Sequence, residues 1–220
     1  MSFSAHYTYS NNISFNLAEL HSLSAPQDGA NIRAERGPTL FDVRHRFISD
    51  FVYELPFARF VSSPARWQTL LASGWQLAGI FTTESGSPFS IASSSSIIGQ
   101  RADYVGGGYY GDRVTDPLQY LNKAAFAQVP LVASTRAAIR PGTLGRNAVR
   151  GPGFWNLDLA LSKNLALTER TRLQLRADMF NATNHVAFSG VQTNITANNF
   201  GRFTSTRSAR VVQLNARFTF

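Results

Sequence analysis

The sequence predicts an all-β protein whose long antiparallel strands follow one another as a meander and form part of a transmembrane β-barrel. Three observations support this fold class. Apolar and polar residues alternate with a period of two over several segments, whereas the helical period is scarce. The clearest segment covers residues 41–55, far longer than the usual ~5–6 residues of a globular strand. Charged residues make up only 15% of the chain and aromatic residues 12%, which suits a surface in contact with lipid.

The segment FDVRHRFISDFVYEL at residues 41–55 shows the alternation best. Odd positions carry mainly apolar and aromatic residues such as Phe47 and Phe51, and even positions carry charges such as Arg44 and Arg46. In lipid every backbone polar group must be paired, so only helices and closed barrels span a membrane. In a barrel the apolar face then meets acyl chains and the charged face lines the lumen.

Five further segments alternate in the same way, so the sequence predicts six strands of a larger barrel. Their connections are long, shorter, long, short and long, which is typical of external loops and periplasmic turns in outer-membrane barrels. The additional strands are predicted at residues 3–10, 74–84, 154–163, 170–180 and 210–220. Residues 1–220 are interpreted as one partial barrel domain, with long external loops at about 11–40, 88–150 and 183–207.

The short NLALTE connection predicts a strand register. If it forms a tight hairpin, Leu161 faces Leu173 on the apolar side and Asp158 faces Arg176 on the charged side. A shift of two residues would place Asp158 opposite Asp178, and like charges directly opposite each other destabilise a sheet. The sequence therefore predicts a cross-strand Asp158–Arg176 pair.

Composition excludes several classes of protein. The chain has no cysteine, which excludes disulfides, thiolate metal sites and cysteine nucleophiles. It has no apolar run long enough for a membrane-spanning helix. The formal net charge is +8, but the basic residues are dispersed singly, which argues against a nucleic-acid partner. The N-terminal MSFSAHYTYS lacks the basic and apolar regions of a signal peptide.

Motifs of enzymes and of cofactor sites are not found. The histidines have no ligand spacing to one another or to carboxylates, and no GxSxG nucleophile elbow occurs. The glycine-rich GGGYYG at residues 106–111 is followed by no helix that would bind phosphate. We therefore expect no enzymatic activity, no metal and no cofactor. The histidines are His6, His21, His45 and His185.

Two sets of residues are candidates for function. Aromatic residues of the external loops are predicted to stack on sugars or other planar ligands, although aromatic girdles occur in any barrel. Charged residues of the inner face are predicted to form a wall toward the lumen, and we favour a structural ladder over a ligand site there. The aromatic set is Tyr104, Tyr109, Tyr110 and Trp155. The lumen-facing charged set is Arg44, Arg46, Asp158, Arg172, Arg176, Asp178 and Arg217.

Several segments together resemble the C-terminal barrel of TonB-dependent outer-membrane receptors, especially the Oar-like branch. The similar segments run in the family's order and cover nearly every predicted strand. They are RAERGPTLFDVRHRFISDFVYELPF (33–57), GWQLAGIFTTESGSPFSI (74–91), NAVRGPGFWNLDLALSKNLALTERTRLQLRADMFNATNHVAF (147–188) and the closing RVVQLNARFTF.

This resemblance implies a barrel of about 22 strands plugged by an N-terminal domain, which imports large or scarce solutes with energy relayed by TonB. Six strands are too few for a membrane barrel, since natural ones start at ~8, and we therefore expect a fragment that lacks the plug and the TonB-binding segment. The resemblance also implies that the final strand, with Phe218 and Phe220, is the signal read by the barrel-assembly machinery. The expected partners are this machinery, outer-membrane lipid, and the plug and TonB of the full-length parent.

An alternative is a soluble or surface β-sandwich that binds a ligand, with carbohydrate as the candidate. A sandwich would bury the apolar row of residues 75–81 under a second sheet. A membrane fragment would leave that row uncovered in an isolated structure. The two hypotheses therefore differ in what lies over this row.

Overall fold

A single antiparallel sheet of six strands dominates the computed structural model, which describes residues 1–15, 26–60, 65–93 and 99–220. Its strand order, β1-β4-β5-β10-β11-β14, is also the order along the chain. These strands are β1 (Ser2–Tyr9), β4 (His45–Leu55), β5 (Trp75–Glu84), β10 (Phe154–Ala166), β11 (Arg172–Phe180) and β14 (Val211–Thr219). The all-β meander predicted from the sequence is confirmed.

Shorter strands lie in the long connections between the six. Within the described residues they form two-stranded sheets, which pair β2 with β3, β6 with β9, β7 with β8 and β12 with β13. They are β2 (Ile13–Ser14), β3 (Gly37–Pro38), β6 (Pro88–Phe89), β7 (Asp103–Tyr104), β8 (Phe126–Ala127), β9 (Val149–Arg150), β12 (Phe188–Val191) and β13 (Phe203–Thr206).

Helices are short. The α-helix α1 (Arg66–Ala72) lies between β4 and β5, and 3-10 helices cover Ile32–Glu35, Phe57–Phe60 and Lys123–Ala125. Among the described residues, no helix has the length and apolar character needed to cross a membrane.

The predicted register of the β10–β11 hairpin is wrong. Arg176 lies opposite Ser162, and Asp178 lies opposite Ala160. The strand β10 continues through residues 164–166, because Leu165 keeps the alternation and these residues gain ladder hydrogen bonds opposite β11. Asp158 therefore does not pair with Arg176, although both side chains lie on the same face of the sheet.

The longer hairpin still avoids the like-charge contact that guided the prediction. Arg176 Nε donates to Asp178 Oδ1 at 2.8 Å, two residues along the same strand. Asp178 Oδ2 also accepts a bond from Asn215 Nδ2 at 3.2 Å across to β14. The alternation is compatible with both the predicted register and the observed one. Pairing of residues 164–166 with β11 selects the observed, longer hairpin.

The two faces of the sheet have opposite character. The register places odd residues of β1, β4, β5, β10 and β11 beside even residues of β14. We call this the apolar face; it presents a continuous row of aromatic and aliphatic side chains. The opposite, polar face carries the carboxylates, guanidinium groups and amides of the same strands.

The β-sandwich alternative is not supported, because no second sheet of comparable size lies over the apolar face in the described residues. The other sheets in the described residues are two-stranded. Trp75, Leu77 and Phe81 remain partly exposed. Gly79 is buried by neighbours within the sheet, since a Cβ there would come within 2.5 Å of the Phe51 ring.

The hydrophobic core lies outside the sheet. We call the described parts of the connections 10–44, 85–153 and 181–210 the cap, because they fold together at one end of the six strands. The main cluster of buried apolar side chains belongs to the cap: Ile91, Ala102, Tyr120, Leu121, Ala125, Phe126, Leu144, Val149, Ile195 and Phe200. The long loops are therefore a packed unit.

Candidate functional site

A buried ion pair joins the first and second long connections of the cap. Arg101 Nη1 lies 2.7 Å from Glu35 Oε2, and the two side chains are only 5% and 3% exposed. The guanidinium also donates to the carbonyl of Leu144 at 2.9 Å. Because a buried charge is costly unless it is paired and hydrogen-bonded, this pair ties three segments of the cap into one arrangement.

A second carboxylate fixes the chain where the cap joins β4. Asp42 is fully buried and accepts bonds from the Asn12 N–H at 2.8 Å and from the Arg150 guanidinium. Burial by itself would raise the pKa of Asp42, but these bonds and the charges of Arg150 and Arg44 outweigh it and lower the pKa below 3.8. This turn also explains why β4 begins at His45 rather than at the predicted residue 41.

A third ion pair joins the half-exposed Arg140 to the buried Asp103. Arg140 binds Asp103 through two parallel hydrogen bonds of 2.8 and 2.7 Å. The Thr143 N–H donates to the same carboxylate at 3.1 Å. The bond from Arg140 is the largest cause that lowers the pKa of Asp103 below 3.8, against the opposing effect of burial.

The predicted ligand-binding tyrosines separate into two groups. Tyr104 and Tyr109 meet edge to face with ring centroids 5.1 Å apart, and Tyr109 stacks on Phe126 of the cap core. Tyr110 instead packs against Tyr120 at 5.3 Å. The Tyr120 hydroxyl donates to the carbonyl of Arg150 at 2.8 Å. Burial raises the pKa of the Tyr120 hydroxyl. The tyrosine rings thus contribute to packing, and Tyr104 and Tyr110 remain partly exposed.

Trp155, the fourth predicted aromatic residue, lies in a different place. It stacks on His185 with ring centroids 4.2 Å apart and an interplanar angle of 19°. Both side chains line a cleft of about 590 Å³ at the cap end of β10, β11 and β14. The lining also includes Asp158 and Arg207, but Trp155 belongs to the apolar face, where its ring lies 6.2 Å from that of Phe81, whereas Asp158 belongs to the polar face.

Asn181 shapes this cleft. It has a positive φ of 49°, a conformation that asparagine tolerates better than most residues. Its backbone N–H donates to Asp158 Oδ1 at 2.8 Å, and its side chain bonds His185 and the carbonyl of Ser208. The motif FNATNH is therefore a turn that holds the ring of His185 against Trp155.

Arg207 closes the other side of the cleft. Its guanidinium lies 3.6 Å above the centroid of the Phe154 ring, and Nη2 lies 3.6 Å from Glu84 Oε1. A guanidinium stacked on a ring keeps hydrogen-bond donors available in its plane. Arg207 and His185 were not predicted as ligand candidates. Their roles depend on partners far away in sequence, and the pattern FN..NH was the only local signal.

The predicted lumen-facing charges lie together on the polar face, except that Arg44 precedes β4. Arg46 Nε lies 3.7 Å from Glu84 Oε2 on the neighbouring strand. The Asp158 carboxylate is held by the Asn156 amide at 2.8 Å. The charged residues within the strands are Arg46, Asp158, Arg172, Arg176, Asp178 and Arg217.

The predicted assembly signal lies at the end of the sheet opposite the cap. Phe218 lies opposite Leu173 on the apolar face, and Phe220 follows the last strand residue. Their rings are 6.1 Å apart, and Phe220 is 92% exposed. In the described residues, no group of three or more potential ligands is placed to hold a metal ion.

Comparison with protein families identifies the class. The family model for the outer membrane beta barrel domain matches residues 1–213. The chain belongs to this family, and it is a protein of the bacterial outer membrane. Comparisons with curated proteins and with solved structures returned no match.

Proposed function

We propose that this chain is the C-terminal barrel part of a TonB-dependent transporter that imports a large or scarce solute. The observation that carries the proposal is the combination of an outer-membrane barrel sheet with a packed cap. The sheet has an apolar face for lipid, and the cap places a polar and aromatic cleft at one end of the strands. The resemblance of the strand motifs to TonB-dependent receptors supports the same conclusion.

The open sheet supports membership of a larger barrel. β1 and β14 are its edges, and each edge presents unpaired backbone groups that cannot remain so in lipid. Further strands would complete the ladder on both sides. The polar face would then surround a lumen, with its charged ladder directed toward a plug domain.

The cap would lie on the external side, where long loops of outer-membrane barrels are found. In this orientation the polar-face side of the cleft faces incoming solute. Arg207, stacked on Phe154, and Asp158 offer polar contacts there, whereas the Trp155–His185 stack lies on the apolar face. This arrangement suits a ligand with both hydrogen-bond donors and acceptors.

The last strand would be read by the barrel-assembly machinery. Phe220 is exposed and ends the apolar row of β14, so it is available to another protein during insertion. Deletion of Phe220 should lower the amount of protein in the outer membrane several-fold, as measured by immunoblotting of membrane fractions. The variant Phe15→Ala removes an exposed phenylalanine of the cap region and should leave that amount unchanged.

The transport proposal can be tested on protein taken from outer membranes. An affinity tag inserted at the exposed Gly107–Gly108 segment of the cap should recover, with this chain, plug sequences and further barrel strands that mass spectrometry can identify. Recovery of this chain alone, as a self-associated assembly, would contradict the proposal.

Solute uptake tests the cleft. In energised cells, Arg207→Ala should reduce uptake of the cognate solute at least several-fold. Collapse of the proton gradient should abolish the uptake. Arg113→Ala is a matched control, because Arg113 also stacks over phenylalanine rings but lies outside the cleft.

A further inference from the structure

A short helix folds onto the apolar face at the end of the sheet opposite the cap. The helix α1 lies in the connection between β4 and β5. Lys163, on the apolar face of β10, donates from Nζ to the carbonyls of Leu70 at 2.7 Å, Leu71 at 2.8 Å and, more closely, Ser73. The three ammonium donors are therefore satisfied by the C-terminal end of the helix, where a cation is also favoured by the helix dipole.

The position of Lys163 is unusual for a charged residue. It lies opposite Trp75 in the register, is only 5% exposed, and has its Nζ 5.2 Å from the Trp75 ring centroid. In the part of the chain that the structure describes, no carboxylate forms an ion pair with it. A charge on an apolar face is costly unless its donors are satisfied, so this lysine fastens α1 to the sheet.

One exposed side of α1 is apolar. Trp67 is 62% exposed and Leu71 is 59% exposed, and residues four apart lie on the same side of a helix. Phe57, which precedes the helix, is also exposed and meets Trp75 edge to face at 6.4 Å. A helix that packs on a sheet in water shows the opposite arrangement, with polar residues outward.

A groove separates α1 from the strands β10, β11 and β14. It has a volume of about 540 Å³ and is lined mainly by apolar side chains, among them Leu71, Leu161, Leu165 and Leu214. The groove is continuous with the apolar face of the sheet. Its lining is aliphatic over most of its length, which is the chemistry that receives an acyl chain.

We propose that α1 and this groove form a lipid-binding site in the leaflet at the short-loop end of the barrel. The helix lies in the plane of the membrane interface with Trp67 and Leu71 among the lipids, as amphipathic interfacial helices do. The groove takes one acyl chain of a phospholipid. This inference rests on the proposed assignment of the apolar face to lipid, and continuity with that face identifies lipid as the occupant.

Single cysteines can test the proposal directly, because the chain has none of its own. Spin labels at Trp67→Cys and Leu71→Cys would be compared with a label at Thr69→Cys, which is exposed on the other side of the helix. The protein is placed in phosphatidylethanolamine–phosphatidylglycerol vesicles. Collision with oxygen, which partitions into lipid, is measured against collision with a water-soluble nickel chelate.

The oxygen-to-nickel collision ratio should be several-fold higher at positions 67 and 71 than at position 69. A label at Val212→Cys, which is exposed on the apolar face of β14 and lies outside the groove, reports whether the sheet itself is in lipid. Equal ratios at all three helix positions, with Val212 in lipid, would overturn this inference alone. A label at Val212 that meets water would contradict the proposed function and this inference with it.

Lys163→Met provides a second readout. Loss of the three hydrogen bonds leaves the bond from Trp75 Nε1 to the carbonyl of Leu71 at 2.8 Å to hold this end of the helix, so the label at position 71 should become markedly more mobile. Lys123→Met removes the other lysine of the chain, which lies in the cap, and should leave the mobility unchanged. If Lys163→Met has no effect on the label, the lysine does not hold the helix at the groove, and the site as proposed is wrong.

Discussion

The cap and the six-stranded sheet place their apolar side chains in opposite ways. In the cap, Leu121 and Ile91 have no exposed surface, and charges such as Glu35 are buried with a partner. In the sheet, Leu214 is 78% exposed and Phe218 is 55% exposed. The cap is organised as a protein in water, whereas no second sheet within the described ranges covers the continuous apolar face of the six strands.

This difference shows that two regions of one chain are stabilised by different surroundings. Burial of apolar area within the protein stabilises the cap. The sheet obtains its order from the backbone ladder, and its apolar face requires a nonaqueous neighbour. Substitutions should therefore affect the cap according to internal packing and affect the sheet according to the membrane.

The largest effect on the cap is expected from breaking its buried ion pair. Arg101→Met leaves the buried Glu35 carboxylate without its cation, although the Gln27 N–H still donates to Oε1 at 3.2 Å, and loss of the cation costs about 3–5 kcal/mol. The free energy of cap opening, measured by hydrogen exchange of the amides of residues 99–150, should fall by that amount. Exchange within β5 and β10 should change little.

Arg202→Met is the matched control, because the side chains of Arg202 and its partner Asp116 are both 39% exposed. Its effect on cap opening should be clearly smaller. An equal loss in the two variants would mean that burial of the Arg101–Glu35 pair has no special importance for the cap.

A smaller effect is expected from truncation of the cap core. Leu121→Ala removes a fully buried side chain, which costs about 2–5 kcal/mol of cap stability. Leu214→Ala makes the same chemical change on the apolar face and should leave cap opening within about 0.5 kcal/mol of the parent. Hydrogen exchange measures both, and similar losses would remove the distinction between the two regions.

The smallest expected effect is a loss of cap stability at acidic pH. The pKa values of Asp42 and Asp103 are lowered below 3.8 in the folded cap. Their contribution to cap stability is therefore complete above pH 3.8 and is lost as the pH falls through the lowered values. The double variant Asp42→Asn with Asp103→Asn should lose most of this dependence. If the double variant keeps the dependence of the parent, other groups are responsible.

The sheet was largely predictable from the sequence, because period-two alternation is a local property of each strand. The hairpin register was not, since Leu165 continues the alternation into the predicted turn, and the pattern does not say where pairing stops. A shift of four residues keeps every side chain on its predicted face. The faces were therefore predicted correctly although the partners were wrong.

The cap and its cleft were not predictable in the same way. The core side chains of Ile91, Leu144 and Ile195 are far apart in sequence and follow no period. Trp155 was predicted as a candidate from its residue type, but its partner His185 was assigned only to a turn. Contacts of this kind depend on how long connections fold together, which no local pattern contains.

One measurement tests the central claim that the apolar face of this chain lies in lipid. Single cysteines at successive positions of β11, residues 172–180, would be spin-labelled in outer-membrane protein placed in vesicles. Strict alternation is expected: labels at odd positions such as Leu175 and Ala177 collide with oxygen, and labels at even positions such as Gln174 and Arg176 collide with the nickel chelate. Equal accessibility at odd and even positions would contradict it.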